Sequence, residues 1–301
     1  MGRPAAWVYF SHNWYKGAEF PADTAGWVRS AGAVPFIRLM LRGPDDTNQF
    51  PTGDVAAGAY DAQLRAWAEG AKAFGGPLLV EYGTEVNGDW FPWNGRHNGG
   101  GRTDGFGDPR TPDGPERFVA AYRHVVSVVR RAGANNITWV FHVGSRDEPT
   151  ADWNRLERYY PGDDVVDWVG VSVYGPQEPS DDKAPSFRAL MDACYPRLAR
   201  LAPHKPMVVL EFGCTAGNPR VRPEEWAGAA LDDLLGGRWP NVIGFAWWNE
   251  AWENDDDPAN NTTMRVQDIP ALARTFRRKF ASVGDHLLTR ARLTPAAQPR
   301  G

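Results

Sequence analysis

The sequence lacks the features that mark several classes of protein. Its 301 residues include only two cysteines, Cys194 and Cys214, too few for a disulfide framework and without zinc-site spacing. We expect both to be core thiols, with a bridge between them as the alternative. No apolar run is long enough to span a membrane, and the starting segment MGRPAAWVYF lacks the pattern of a signal peptide. These absences leave the compartment open.

Clustered positive charge is also missing. The formal net charge is -4 and the basic residues are dispersed, which argues against nucleic acid or an anionic membrane as partner. No GxGxxG or P-loop motif follows a strand, and the six histidines have no metal spacing such as HExxH. The acidic run at residues 253–257 lacks the spacing of a calcium loop and is interpreted as a solvated loop. We expect no cofactor, no metal, a monomer and a neutral ligand.

Tryptophan, in contrast, is abundant. The chain contains 14 tryptophans, more than a core of this size requires. Indole faces are good platforms for flat, partly apolar ligands such as sugar rings. A carbohydrate ligand is therefore indicated.

Apolar, β-branched or aromatic runs alternate with helical patterns along the whole chain, which is typical of a parallel α/β sheet. We predict one (β/α)8 TIM barrel over residues 1–301, with a frayed tail at 293–301. A doubly wound nucleotide-binding sheet is the alternative, but it lacks its phosphate motif. The predicted strands are residues 7–11, 34–41, 77–85, 137–143, 165–174, 206–212 and 242–248. The predicted helices are residues 59–74, 116–131, 186–201, 223–235 and 269–280.

Polar and aromatic side chains collect where the predicted strands end. Glu85, Tyr174 and Glu211 each close a strand, and Trp247, Trp248, Asn249 and Glu250 close the last one. In a (β/α)8 barrel these carboxyl ends form the active face. The Gly/Pro-rich segment 94–114 is predicted to be a long functional loop above that face.

Glu85 and Glu211 together suggest glycosidic bond hydrolysis. That reaction needs one carboxylic acid to protonate the leaving oxygen and one carboxylate to attack the anomeric carbon, roughly 5 to 5.5 Å apart in retaining enzymes. We expect burial beside a second acid to keep Glu85 protonated near neutral pH. The alternative for either residue alone is a salt bridge with a neighbouring arginine.

The stretch EVNGDWFPWNG, which begins at Glu85, resembles the acid/base region of glycoside hydrolase family 26, the group that contains β-mannanases. WNRLERYYPGDDVVDWVGVSVYG, KPMVVLEFG and GFAWWNE are similar to further segments of that family, so the resemblance covers most of the chain. It implies a retaining glycosidase with Glu85 as general acid/base on the fourth barrel strand and Glu211 as nucleophile on the seventh. It also favours a secreted protein or part of one.

The resemblance implies substrate contacts as well. Tyr174 would hydrogen-bond the nucleophile, and Trp247 or Trp248 would form the floor beneath the sugar being cleaved. Neighbouring sugars would meet Trp90 and Trp93. From position alone, further substrate contacts are expected at Asn87, Trp14 and His142; packing or turn formation is the alternative for each of these and for the tryptophans.

Two departures from the family pattern stand beside Glu85. Thr84 replaces a histidine, and Glu81 replaces the usual arginine four residues before the acid/base. Period-two alternation places Glu81 on the same face as Glu85 but deeper, where a carboxylate needs a cation, and we expect Arg38 to be that partner. The resemblance implies an endo-β-mannanase-like enzyme, with a mannan-type polysaccharide or oligosaccharide as the first expected substrate. Because both changes alter sugar-facing positions of the family, xylan and β-glucan are the alternative β-linked substrates. A carbohydrate-binding barrel without activity is the alternative from another class.

The strand count also departs from the family. If Glu85 ends the fourth strand, residues 7–11 form the second, and the first is missing. Either the chain is a piece of a longer protein, or residues 286–293 (HLLTRARL) fill the vacant position as a permuted strand.

Overall fold

The computed structural model describes residues 5–283. They divide into two compact units, residues 5–169 and 170–283, called here the N-terminal unit and the C-terminal unit. The boundary falls inside a strand. The expectation of one domain over the whole chain stays a prediction.

The N-terminal unit alternates strands and helices. Its four strands are parallel, and neighbours in the chain pair with each other: Trp7 lies opposite Val34, Phe36 opposite Leu79, and Leu78 opposite Ile137. The elements are β1 (Trp7–Asn13), α1 (Ala22–Ser30), β2 (Val34–Met40), α2 (Thr52–Ala56), α3 (Asp61–Phe74), β3 (Leu78–Tyr82), α4 (Asp113–Arg131) and β4 (Ile137–Gly144).

The strands β2 and β3 are buried along their whole length, as expected of parallel strands covered on both faces. Helix α4 covers one of these faces with the apolar stripe that its sequence predicts. All five stripe residues are fully buried: Phe118, Tyr122, Val125, Val126 and Val129. The Phe118 ring stacks on Tyr82 at the end of β3, with ring centroids 5.7 Å apart.

The C-terminal unit continues the alternation. Strands β6 and β7 are parallel neighbours, with Met207 opposite Val242. A short antiparallel pair, β8 and β9, follows β7. The elements are β5 (Trp168–Tyr174), α5 (Phe187–Leu201), β6 (Met207–Gly213), α6 (Pro223–Leu235), β7 (Val242–Trp247), β8 (Ala251–Trp252), β9 (Thr262–Thr263) and α7 (Pro270–Ala281).

Several sequence predictions need correction. The third strand ends at Tyr82, not at Glu85, because Gly83 and Glu85 adopt positive φ angles of 78° and 48° and leave the extended conformation. The alternation that placed Glu81 and Glu85 on one face therefore stops before Glu85. Helices α1 and α2 and the β8–β9 pair were not predicted. Cys194 and Cys214 are both buried and are not joined in a disulfide, as expected of core thiols.

Residues 286–293 and the tail lie outside the described residues. Within residues 5–283, no helix combines the length and apolarity needed to cross a membrane. In the same part of the chain, His, Cys, Asp and Glu side chains form no group of three or more that could hold a metal ion.

Candidate active site

Glu85 lies in a tight turn directly after β3. Gly88 N–H donates to the Glu85 carbonyl oxygen over 2.8 Å, and Val86 N–H donates to the carbonyl oxygen of His142 on β4 over 3.2 Å. The left-handed backbone of Glu85 is uncommon for a residue other than glycine. Such conformations persist where the surrounding contacts fix them, and they concentrate at functional sites.

Trp90 contacts the Glu85 carboxyl group. Its indole Nε1–H donates to Glu85 Oε2 over 2.8 Å, while 46% of the Trp90 surface stays exposed. Glu85 itself is buried. The structure thus brings together two residues that the sequence assigned separately, one to catalysis and one to sugar binding.

Behind this turn, four strands direct polar side chains into one buried cluster around Glu81, which has no exposed surface. The Tyr9 hydroxyl donates to Glu81 Oε1 over 2.5 Å, and His142 Nδ1 lies 2.8 Å from Glu81 Oε2. Arg38 Nε lies 3.6 Å from Glu81 Oε1, which confirms the predicted partner. The Thr84 hydroxyl also donates to Glu81. We call Tyr9, Arg38, Glu81, Thr84 and His142 the Glu81 cluster.

Charge pairing decides the ionisation of Glu81. Burial alone would raise the pKa of this carboxyl group, but the His142 ring, the Arg38 guanidinium and the Thr84 hydroxyl together lower it. Glu81 is therefore ionised in the folded unit at neutral pH. Because Thr84 is next to Glu85 in the chain, the cluster also anchors the turn that carries Glu85.

The Asn87 side chain fixes the loop after β4. Its Nδ2 donates to the carbonyl oxygens of Gly144 and Arg146 and to Asp147 Oδ1, over 3.1, 2.9 and 2.9 Å, and its Oδ1 accepts from Gly144 N–H over 2.7 Å. Asn87 is fully buried. These contacts give Asn87 a structural role. The substrate contact predicted for it is not supported, because its side chain has no exposed surface.

Three more predicted contact residues are buried. Trp93 donates its Nε1–H to the Thr84 carbonyl oxygen over 2.7 Å, which braces the turn from the other side. Trp14 packs edge-on against Phe50, with ring centroids 5.6 Å apart. His142 belongs to the Glu81 cluster and has no exposed surface. Trp90 differs from all of them because its ring is half exposed.

In the C-terminal unit, Glu211 lies on β6, two residues before the strand ends, and is buried. The Tyr174 hydroxyl at the end of β5 donates to Glu211 Oε2 over 2.7 Å. This is the contact that the family resemblance implied. The hydroxyl fixes the orientation of the carboxylate.

The two tryptophans at the end of β7 have different surroundings. Trp247 donates its Nε1–H to the Met264 carbonyl oxygen over 2.7 Å, and its ring packs edge-on against Phe212 and Phe276. Trp247 is thereby tied into the packing between strand and helix. The next residue, Trp248, is half-buried, and its Cβ lies close to Gly213.

The Glu81 cluster is the feature that sequence reasoning recognised only in part. Its signal was one arginine, glutamate or histidine in each of three largely apolar strands: Arg38 in VPFIRLM, Glu81 in LLVEY and His142 in ITWVFHVG. The Tyr9 contact gave no such signal, since tyrosine is common in strands.

Comparison with known proteins decides the family. The model of glycosyl hydrolase family 26 matches residues 55–208, about half of the chain. This chain belongs to glycosyl hydrolase family 26. Both Glu85 and Glu81 lie inside the matched segment, whereas Glu211 lies just beyond it.

Relatives of this family 26 chain are larger proteins. Endoglucanase H of Acetivibrio thermocellus is 28% identical over 280 residues, which are 92% of this chain and 27% of that protein. A β-1,3-xylanase of a Vibrio species is 33% identical over 150 residues, 45% of this chain and 28% of that protein. The chain spans about a quarter of the length of these relatives.

Solved structures show the fold of the family 26 chain. A β-mannanase from Bacteroides ovatus matches with a TM-score of 0.63 at 16% identity, over 96% of this chain and 82% of that one. An endo-β-1,4-mannanase from Cellulomonas fimi matches with a TM-score of 0.61 at 20% identity, over 91% and 59%. The fold is a (β/α)8 TIM barrel, as predicted, and residues 5–283 supply seven of its strands.

Proposed function

We propose that this family 26 chain is a retaining glycoside hydrolase for β-linked polysaccharide, with Glu85 as general acid/base and Glu211 as nucleophile. One observation carries the proposal: each glutamate is buried, and each accepts a hydrogen bond from an aromatic side chain, Trp90 in one case and Tyr174 in the other. Two carboxyl groups with fixed orientations are what a double displacement requires.

The chemistry has two steps. Glu211 attacks the anomeric carbon while Glu85 gives its proton to the leaving glycosidic oxygen, and a glycosyl ester of Glu211 forms. Glu85, now a carboxylate, takes a proton from water as that water attacks the anomeric carbon and releases Glu211. The sugar keeps its β configuration because it is inverted twice.

As sugar-stacking residues we propose Trp90 in the N-terminal unit and, in the C-terminal unit, Trp248. Trp247 was an equal choice from the sequence, but its ring and its Nε1–H are engaged by Phe212, Phe276 and Met264. Trp90 is half exposed, and Trp248 is half-buried like Trp247, so each has surface that a sugar ring can cover.

For the substrate we place β-glucan first, β-1,3-xylan second and mannan third. The order follows the relatives in sequence, an endoglucanase matching 92% of this chain and β-1,3-xylanases matching less than half. The solved mannanases are at most 20% identical and carry no weight for substrate. Thr84 and Glu81, which replace two side chains of the mannanase-type motif, support placing mannan last.

Substitution of the two glutamates tests the roles. With an activated aryl β-glycoside, Glu85→Ala should accumulate the glycosyl ester, and added azide should restore turnover with a β-glycosyl azide as product. Glu211→Ala should lose hydrolysis, and azide should yield the α-glycosyl azide by a single inversion. On polysaccharide, Glu85→Gln should be slower by about 10²–10⁴-fold, the usual contribution of general acid–base catalysis.

Two outcomes would refute the roles: normal turnover in either variant, or azide products of the opposite configuration. Thermal unfolding of each variant checks that the fold is retained. A wild-type product of inverted configuration, seen by NMR in the first minutes of hydrolysis, would exclude the retaining mechanism.

A panel of polysaccharides tests the substrate order. Mixed-linkage β-glucan, carboxymethyl cellulose, β-1,3-xylan, β-1,4-xylan and glucomannan are incubated with the protein, and new reducing ends are measured. We expect the highest kcat/KM on a β-glucan. Highest activity on glucomannan would reverse the order, and binding without reducing ends on all five would favour the carbohydrate-binding barrel.

A further inference from the structure

Gly88 permits the contact between Trp90 and Glu85. A Cβ placed on Gly88 would lie 2.2 Å from Cζ2 of the Trp90 ring, a distance that real Cβ atoms do not reach. The indole therefore lies flat against the Gly88 backbone, and this position brings its Nε1 to Glu85. Gly88 does not have a positive φ angle, so space, and not backbone conformation, requires glycine there.

The contact constrains where a proton can reside. An indole N–H can donate a hydrogen bond but cannot accept one. A proton on Oε2 of Glu85 that pointed at the ring would face the indole hydrogen, whereas an unprotonated Oε2 accepts from it. Because a carbonyl oxygen is a better acceptor than a hydroxyl oxygen, donation from Trp90 to Oε2 favours the acidic proton on Oε1.

We propose, on the basis of the function proposed above, that Trp90 is a positioning residue that selects Oε1 of Glu85 as the oxygen that exchanges the proton in both steps. One side of the indole contacts Gly88, and the ring is half exposed. A sugar that stacks on the exposed part of the ring is then held by the same group that orients the acid. Substrate position and proton position are thus fixed by one side chain.

Charge adds a second consequence. The N–H donor stabilises the carboxylate more than the carboxylic acid, so its loss favours the protonated form. A Trp90→Phe variant keeps a smaller aromatic face and loses the N–H donor. We expect the alkaline limb of its kcat/KM profile to move upward by about half to one pH unit, because the carboxylate loses a charge-assisted hydrogen bond at a partly exposed site.

Two substrates with different leaving groups distinguish a role of Trp90 in positioning the acid from a role in stacking on the sugar. With a natural oligosaccharide, which needs the proton, Trp90→Phe should lower kcat by about tenfold because the acid loses its orientation. With a dinitrophenyl glycoside, which leaves without a proton, the first step should change little. Loss of stacking alone would instead raise KM for both substrates and leave the pH limb where it was.

Gly88→Ala provides an independent variant. It retains the indole but pushes the ring from its place, and the backbone conformation accepts alanine. We expect it to reproduce the upward movement of the alkaline limb. Trp27→Phe is the matched control: Trp27 lies on α1 and is 64% exposed, so the same chemical change should leave the pH profile and the leaving-group dependence unaltered.

The outcomes are distinguishable. If Glu85→Ala shows the azide rescue described above but Trp90→Phe and Gly88→Ala leave the limb and the leaving-group dependence unchanged in folded protein, the positioning role of Trp90 is wrong and the proposed function stands. If Glu85→Ala turns over normally, the proposed function itself fails.

Discussion

Glu81 shows what a buried carboxylate requires at the scale of one residue. Its carboxyl group has no exposed surface, and its ionised form is maintained by Tyr9, Arg38, Thr84 and His142. Removing one member of a buried ion pair leaves the other charged and desolvated, which costs far more than an exposed pair contributes.

This requirement predicts the behaviour of Glu81→Gln. The variant keeps the shape of the side chain but removes the buried carboxylate that Arg38 and His142 contact. We expect the free energy of unfolding to fall by about 3–5 kcal/mol at pH 7, measured by urea denaturation. Glu69→Gln is the matched control, because Glu69 is exposed and lies 4.0 Å from Lys72, and should change stability by less than about 1 kcal/mol.

The same substitution predicts a change in the pH dependence of stability. The pKa of Glu81 is lowered in the folded state from its ordinary value of 4.5. The unfolded chain therefore binds a proton first as the pH falls, so the stability from this group is complete above that value and is lost as the pH falls through the lower folded pKa. Glu81→Gln should flatten the stability curve below pH 4.5; an unchanged slope would contradict the ionised Glu81.

Residue identity alone revealed part of the candidate site. Glu85, Glu211 and Tyr174 could be found because each stands at the end of an apolar run in a family-like motif. The bond from Trp90 to Glu85 could not, because it depends on the left-handed turn at Glu85 and on the space above Gly88. Neither feature follows from residue type without the backbone path.

At the scale of elements, the end of β3 is set by one glycine. Gly83 has a φ of 78°, and a Cβ on it would lie 2.3 Å from the Phe118 ring of α4. Strand β3 therefore stops where the helix packs most closely, three residues earlier than the apolar run suggests. This stop directs the chain into the turn that carries Glu85.

Gly83→Ala should consequently destabilise the protein. A left-handed backbone costs a residue with a Cβ about 1–2 kcal/mol, and overpacking against Phe118 adds about 1–3 kcal/mol. Gly75→Ala isolates the first contribution, because Gly75 has a φ of 69° but its added Cβ would lie 3.8 Å from its nearest neighbour. Thermal unfolding should show a larger loss of stability for Gly83→Ala than for Gly75→Ala. Equal losses would mean that the Phe118 ring moves aside without an energetic cost.

Helix ends were harder to predict than helices. In α4, Asp113 precedes Pro115 and Glu116 in a pattern typical of a capping residue, but Pro112 occupies the N-cap position and Asp113 is the first helical residue. The Asp113 carboxylate accepts instead from Gly105 N–H over 2.9 Å. The Asp113 side chain therefore stabilises the loop at residues 99–111 and does not cap the helix. Capping rules consider only neighbouring residues in the chain, so they do not predict a hydrogen bond to Gly105.

At the scale of the whole molecule, hydrophobic periodicity was sufficient for the fold class. Alternating strands and helices predicted the barrel because each run must bury a face against its neighbours, and this requirement is local. The Glu81 cluster depends instead on which residues of four strands lie side by side. The charged residues of the cluster can be recognised in the sequence, but their contacts follow from the pairing of the strands.

The Glu81 cluster also affects the register in which β2 pairs with β3. Arg38 lies directly opposite Glu81 in the pairing of β2 with β3. A slip of one residue would place Ile37 or Leu39 there and turn the guanidinium to the opposite face of the sheet. The misaligned pair would deprive the buried Glu81 carboxylate of the guanidinium, so the pairing of these two charges favours the native register over its one-residue neighbours.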